Sequence, residues 1–239
     1  MSANYKAPPI VECVFEFRYV DVVPFETIEK RKDKLLKHYD RAETEWTFQA
    51  QFDLEAHKVK QSREPVGLRL KTEDELQIVR VQTQVLAVAQ LAPYVGWAEL
   101  RSRIERDFAT YTDLFGRRKI TRIGVRYINR IDVPGQSADV EAYLKLYPAL
   151  PDLGQTVGVG FAMQITQKID DQFVVSLRSG TAASPVPDTV SFLLDIDLFT
   201  EVDIPTRDDQ ILLLLDRMRE LKNFIFESSI TDKARALFN

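Results

Sequence analysis

Between residues 10 and 20 the chain alternates, with Val11, Cys13, Phe15, Phe17 and Tyr19 on one parity and Glu12, Glu16 and Arg18 on the other. Successive side chains of a strand point to opposite faces, so a period of two over this length predicts a half-buried strand. Pro24 opens a stretch in which Phe25, Ile28, Leu35, Leu36 and Tyr39 fall at helical spacing. A helix is expected over residues 24–39, with proline in the first turn that tolerates it. From Trp46 to Gln90 strand-type runs recur near 46–52, 55–61, 66–71, 76–81 and 84–90, with turn signals such as Glu64-Pro-Val-Gly67 and Thr72-Glu-Asp-Glu75 between them. This pattern predicts an antiparallel meander, in whose first run Trp46, Phe48 and Phe52 share a parity and are expected to cover the core.

Trp97, Leu100, Ile104, Phe108, Tyr111 and Phe115 then recur every three or four residues, and Gly116 stands at a natural helix stop. Beyond it the patterns predict a strand over 120–133, a short helix near 138–146, and strands near 155–169, 172–179 and 189–199, with a loop from Gly180 to Asp188. The last long helix is expected from Asp208 to Phe226, with Thr206 as cap and acidic residues in the first turn, followed by a shorter C-terminal helix or turn.

The two halves echo one another. Ile10 to Pro24 and Ile120 to Pro134 are equally long, and an ungapped alignment matches Ile10 with Ile120, Phe17 with Tyr127, Val23 with Val133 and Pro24 with Pro134. Each segment leads into a helix, a set of strands and a longer helix. The expected fold is therefore α+β: a single domain over 1–239 with a large, curved, mainly antiparallel sheet and two long helices on one face. Its halves, 10–116 and 120–227, read as a strand-helix-meander-helix pseudo-repeat.

Alternation in the strand over 120–133 puts Ile123, Val125, Tyr127 and Ile131 toward the core and Arg122, Arg126 and Arg130 on the opposite face. The matching positions of the first strand are Glu12 for Arg122 and Glu16 for Arg126, with Arg18 nearby, and Asp195 and Asp197 sit one strand period apart in a later strand. These eight residues are the candidate binding set. On a solvated face they would form cross-strand ion pairs, whereas in an enclosed cleft spare guanidinium groups would hold a phosphate, a carboxylate or an acidic segment of a partner. Asp53, Glu55 and His57 share a face of a regular strand and have metal-binding chemistry, but a solvated strand face explains them better and no metal is assigned. His38 reads as a surface residue and Cys13 as a buried, inert thiol.

Composition narrows the function more than it defines it. The 239 residues include 45% apolar and 28% charged residues, a range that excludes collagen-like, low-complexity and disordered classes. A net charge of -4, and the absence of aromatics on the arginine parity, argue against a dedicated nucleic-acid binder. The start lacks a basic segment followed by an apolar run, and the longest apolar stretch, Ile211 to Leu215, is far too short to span a bilayer, so a cytoplasmic protein is expected. Phosphate-binding loops, nucleophile elbows, H-E-x-x-H and C-x-x-C are absent, and Gly158-Val-Gly160 lacks the third glycine of a dinucleotide fingerprint. No cofactor is expected, and enzymatic activity is disfavoured.

Four separated segments carry a resemblance: Ala7-Pro-Pro-Ile-Val-Glu-Cys-Val-Phe-Glu-Phe-Arg18, Leu91-Ala-Pro-Tyr-Val-Gly-Trp97, Ile120 to Pro134 with Arg-Ile-Gly-Val-Arg-Tyr-Ile-Asn-Arg-Ile at its centre, and the tail Phe226 to Phe238. Together they resemble a sporadically distributed bacterial protein family over nearly the whole chain. The tail departs slightly, with Asn239 where a glycine is expected. The resemblance implies no activity, cofactor or catalytic residue. Patchy distribution is similar to that of mobile-element, defence and toxin-antitoxin genes, and so implies an antitoxin-like or defence-associated interaction component with a protein partner or self-association. The alternative is a phosphate- or nucleotide-binding protein or hydrolase with an Arg/Glu-lined cleft. Its first strand offers Glu12, Glu16 and Arg18 but places Val14 where the E-x-E-x-K pattern of triphosphate-tunnel enzymes has an acid.

Overall fold

The computed structural model describes residues 5–53, 58–149 and 160–239, with side chains described outside 49–53 and 58–61. Asp53, Glu55 and His57, and Gly158 of the glycine pair, therefore lie outside the residues whose side chains are described. The strands are β1 (Ile10–Tyr19), β2 (Arg41–Asp53), β3 (Lys58–Lys71), β4 (Gln77–Gln82), β5 (Val85–Leu91), β6 (Ile120–Pro134), β7 (Ala162–Lys168), β8 (Val174–Ala182) and β9 (Thr189–Thr200). They form one sheet in the order β2-β3-β4-β5-β1-β6-β9-β8-β7, and the registers of the β2–β3, β3–β4, β4–β5, β6–β9, β7–β8 and β8–β9 pairs are all antiparallel. With the helices this is an α+β architecture built on an antiparallel sheet. Among the described residues no helix is long and apolar enough to cross a membrane.

The chain divides into two compact units, one of Glu16–Gln90 with Gly96–Thr121, the other of Met1–Phe15, Leu91–Val95 and Arg122–Asn239. In the first, α3 (Trp97–Phe115) lies between two glycines with positive φ, and buries Leu100, Ile104, Phe108 and Tyr111, the stripe that its periodicity predicts. Phe108 packs on Phe17, and Tyr111 stacks on Tyr19 with ring centroids 5.0 Å apart. Buried Asp107 accepts hydrogen bonds from Tyr39 Oη (2.6 Å) and from Arg106 Nε and Nη2 (2.9 and 2.8 Å).

The helix expected over 24–39 is instead two short ones, α1 (Phe25–Glu29) and α2 (Lys32–Leu35), followed by a 3-10 turn at Leu36–His38. The chain breaks at Arg31, whose φ of -106° and ψ of 6° leave the helical region. Only Ile28 and Leu35 are buried in α1 and α2, and a stripe this sparse gives too little packing to hold one continuous helix. In the meander, two runs that the sequence divides join into the long β3, and β2 begins earlier than expected. Their register shifts once, between Glu45 opposite Gly67 and Trp46 opposite Pro65, so the extra residue is Val66 on β3 and β2 keeps its alternation. A Cβ on Gly67 would collide with the Val81 carbonyl oxygen and the Gln82 backbone, which is why glycine stands next to the bulge.

In the second unit, α4 (Asp208–Ser229) lays Ile211, Leu215, Met218 and Phe226 into the core. The sheet supplies Ile123, Val125, Tyr127 and Ile131 from β6 and Leu194, Ile196 and Leu198 from β9. The helix cap is Arg207 rather than Thr206, and Asp208 and Asp209 in the first turn favour the positive end of the helix dipole. A 3-10 turn at Val140–Ala142 replaces the helix expected near 138–146, because Leu144 forms a β-bridge with Ile230 and its neighbours exchange backbone hydrogen bonds with the chain around Ser229–Thr231. The tail closes with α5 (Asp232–Ala236), capped by the Thr231 hydroxyl, and Tyr5, Phe226 and Phe238 form an aromatic cluster that buries Phe238.

Candidate functional site

The polar face of β6 carries the arginines as expected, but their partners are aspartates of β9 and of β6 itself. Arg126 stands opposite Asp197 in the register and reaches diagonally to Asp195, donating from Nε at 2.9 Å and from Nη2 at 2.6 Å in a bidentate pair. Arg178, directly opposite Asp195 on β8, donates to the same carboxylate at 3.1 Å and to Gln164 of β7 at 3.0 Å. Arg122 lies 3.4 Å from Asp197 and covers the Phe199 ring at 4.4 Å. Arg130 donates to both oxygens of Asp132, which also accepts from Ser191 Oγ at 2.6 Å. Asp195, with a side chain only 9% exposed, is the centre of this ladder.

The carboxylates around Arg126 hold its guanidinium more firmly protonated, the Asp195 hydrogen bond first, with Asp197 and Glu12 adding through charge. Glu12 thus acts on Arg126 within its own unit. Glu16 pairs with Arg18 at 2.7 Å, an exposed contact along one strand. Counting Arg122, Arg126, Arg130 and Arg178 against Asp132, Asp195, Asp197 and Glu12, four positive charges meet four negative ones. A face balanced in this way can bind rigidly across strands, but it offers little surplus positive charge to a phosphate. Replacing Arg126 by glutamate, which sets a third carboxylate beside Asp195 and Asp197, is expected to lower stability by about 2 kcal/mol. Thermal melts at low and high salt check this, with part of the loss recovered at high salt because Arg126 is half-exposed.

A second cluster escaped sequence reasoning. Lys222 occupies the buried stripe of α4 between Met218 and Phe226 and is only 5% exposed. Its Nζ sits 3.8 Å from the centroid of the Tyr127 ring, and among the described residues no carboxylate forms an ion pair with it. Burial, with the nearby charge of Arg219 adding to it, pushes the lysine down to about 7. Burial likewise raises the Tyr127 phenol well above its ordinary range, and the Tyr94 phenol, whose ring centroid lies 6.2 Å from that of Tyr127, adds to the rise. Cys13 is fully buried in the same unit. The sequence signal was available, since a lysine falls at the i+4 and i+11 spacings of an otherwise apolar stripe from Met218 and Ile211.

A third feature reverses an expectation. Trp46 and Phe48 do not cover the core but stand 41% and 74% exposed on β2. The Arg63 guanidinium lies 3.8 Å over the Trp46 ring and 5.5 Å from that of Phe48. The cause is register: β3 pairs with β4 only over Gly67–Lys71, so the β2–β3 hairpin beyond the bulge has no described strand on its far side and no core to cover. Among the described residues no group of three or more His, Cys, Asp or Glu is placed to hold a metal ion. No family model matches the chain, and no curated protein matches it.

Proposed function

We propose that this protein is a non-enzymatic interaction component that assembles with a protein through the outer edge of β2, the terminal strand of the sheet among the described residues. The observation that carries the proposal is the exposed Trp46–Phe48–Arg63 cluster on an edge strand, because tryptophan and arginine are the residue types that dominate binding energy at interfaces. The occupant is an extended strand that continues the sheet, a mode in which backbone hydrogen bonds supply affinity and alternate side chains supply selectivity. The resemblance to a patchily distributed bacterial family supports an antitoxin-like or defence-associated setting in the cytoplasm. The pseudo-repeat belongs to the same reading, supported by each unit's having a meander followed by a long helix. The alternative phosphate-binding cleft draws less support, since the arginines of β6 face aspartates.

Native mass spectrometry of the protein purified from its own host tests this. An assembly of fixed stoichiometry is expected for the natural chain, and Phe48→Asp is expected to dissociate it at least tenfold more readily while the chain keeps its native circular dichroism spectrum, because Phe48 is exposed. A monomer, or an assembly indifferent to Phe48→Asp, would overturn the proposal.

A further inference from the structure

The two ends of the sheet differ in a way that bears on what covers them. β7 is seven residues long, its side chains are mostly exposed and polar, and Lys168 stands at its end, the features by which edge strands avoid unwanted pairing. β2 is thirteen residues long. Its segment Trp46-Thr-Phe-Gln-Ala-Gln-Phe52 carries no charge, proline or glycine and alternates apolar with polar positions. Left open, such a strand is a template for uncontrolled association. A closed pairing removes the hazard.

We infer that β2 pairs antiparallel with β2 of a second copy of this chain about a twofold axis at Thr47, an inference that rests on the proposed use of this edge for protein assembly. The choice of occupant comes from the strand's own complementarity. A twofold pairing sets the same surface of both copies together, so every residue of the strand must tolerate its mirror position. With the axis at Thr47, the midpoint of Arg41–Asp53, all thirteen residues pair. Position 46 then opposes 48, so Trp46 meets Phe48 of the second copy, and position 41 opposes 53, so Arg41 stands at the register position of Asp53. Glu43 and Glu45 oppose Gln51 and Gln49, and no like charges meet.

Neighbouring registers do worse. An axis at Glu45 sets that carboxylate against itself, an axis at Thr44 opposes Glu43 with Glu45, and an axis at Phe48 opposes Glu43 with Asp53. An axis at Trp46 avoids repulsion but leaves Arg41 opposite Gln51 and forgoes the charge match. A slip by one residue brings the aromatic parity of one copy against the polar parity of the other. The bulge at Val66 lies on β3, so nothing interrupts the alternation of β2 that the pairing requires.

Charge swapping at the axis tests this register. Thr47→Asp and Thr47→Lys both set like charges face to face if Thr47 meets itself, whereas with the axis at Trp46 position 47 faces Glu45 and only the aspartate would repel. Each is expected to weaken self-association at least tenfold by light scattering while the circular dichroism spectrum keeps its native form. Mixing the two variants is expected to restore dimers of one copy of each, which a misfolded variant could not do. A dimer that survives both substitutions, or a mixture that stays monomeric, would overturn the inference. A natural chain that is monomeric alone but holds a different protein, lost on Phe48→Asp, would overturn self-pairing and leave the assembly reading standing. A monomer without any partner would sink both.

Discussion

Replacing Lys222 by methionine is expected to stabilise the protein, most strongly at and below neutral pH. The sign follows from where the lysine carries its proton. In the unfolded chain it titrates near 10.5, but in the folded chain burial brings it down to about 7. Between these values the unfolded state binds more protons, so stability rises with pH across that window and the full cost of the buried charge is present below it. One unit corresponds to about 1.4 kcal/mol, so the cost is on the order of 5 kcal/mol, of which the cation–π contact with Tyr127 offsets up to about 2. Methionine has a similar length and no charge to desolvate, and it fits beside Met218 and Phe226 in the same stripe. The expected gain is a few kcal/mol, or roughly 5–10 °C in melting temperature at pH 6–7 for a chain of this size, shrinking toward zero near pH 10.5. Melts of the natural and Lys222→Met proteins across this range decide the matter. A destabilised variant at every pH would mean that the amine is bound to a group that stabilises it.

Asp107→Ala is expected to have the opposite and comparably large effect. The carboxylate is almost fully buried and accepts from both Tyr39 and Arg106, so its loss leaves the buried Tyr39 hydroxyl without its acceptor and the half-buried Arg106 guanidinium with only the Tyr39 oxygen, 3.1 Å from Nη2, to accept from it. Burial and the Asp107 charge also raise the Tyr39 phenol far above its ordinary range, which keeps it a hydrogen-bond donor at any working pH. Removing one partner of such a network costs about 3 kcal/mol, a drop of roughly 6–12 °C in melting temperature, while Tyr39→Phe should cost only about 1 kcal/mol. Urea midpoints of the two variants check the ranking. Equal losses would mean that Arg106 contributes nothing to the network.

The elements with dense apolar repeats were legible from the sequence. The stripe from Trp97 to Phe115 and the alternation from Ile120 to Val133 carry their own periods, and the structure places α3 and β6 where those periods say. Sparse stripes misled, as residues 24–39 show, because an amphipathic spacing supported by two buried side chains does not hold a continuous helix. The arginine face was legible as a face, yet its partners were not. Alternation puts Arg126 on the polar side, but only the β6–β9 and β8–β9 registers bring Asp195 within reach of both Arg126 and Arg178.

Trp46 and Phe48 mark the same boundary from the other side. Their parity is readable in the sequence, and their exposure is not, because whether a strand face has a core to cover depends on how far its neighbours extend. Lys222 likewise declares its place in the stripe of α4, but its cost arises from the ring and the packing around it, which no local pattern encodes. By itself the sequence determined the antiparallel, α+β character of the chain, the core parity of its central strand and the position of its long helices, since each follows from a repeat along one segment. Tertiary structure alone decided which charges pair, which aromatics stand in solvent and which lysine is buried, since each depends on contacts between segments far apart in the chain.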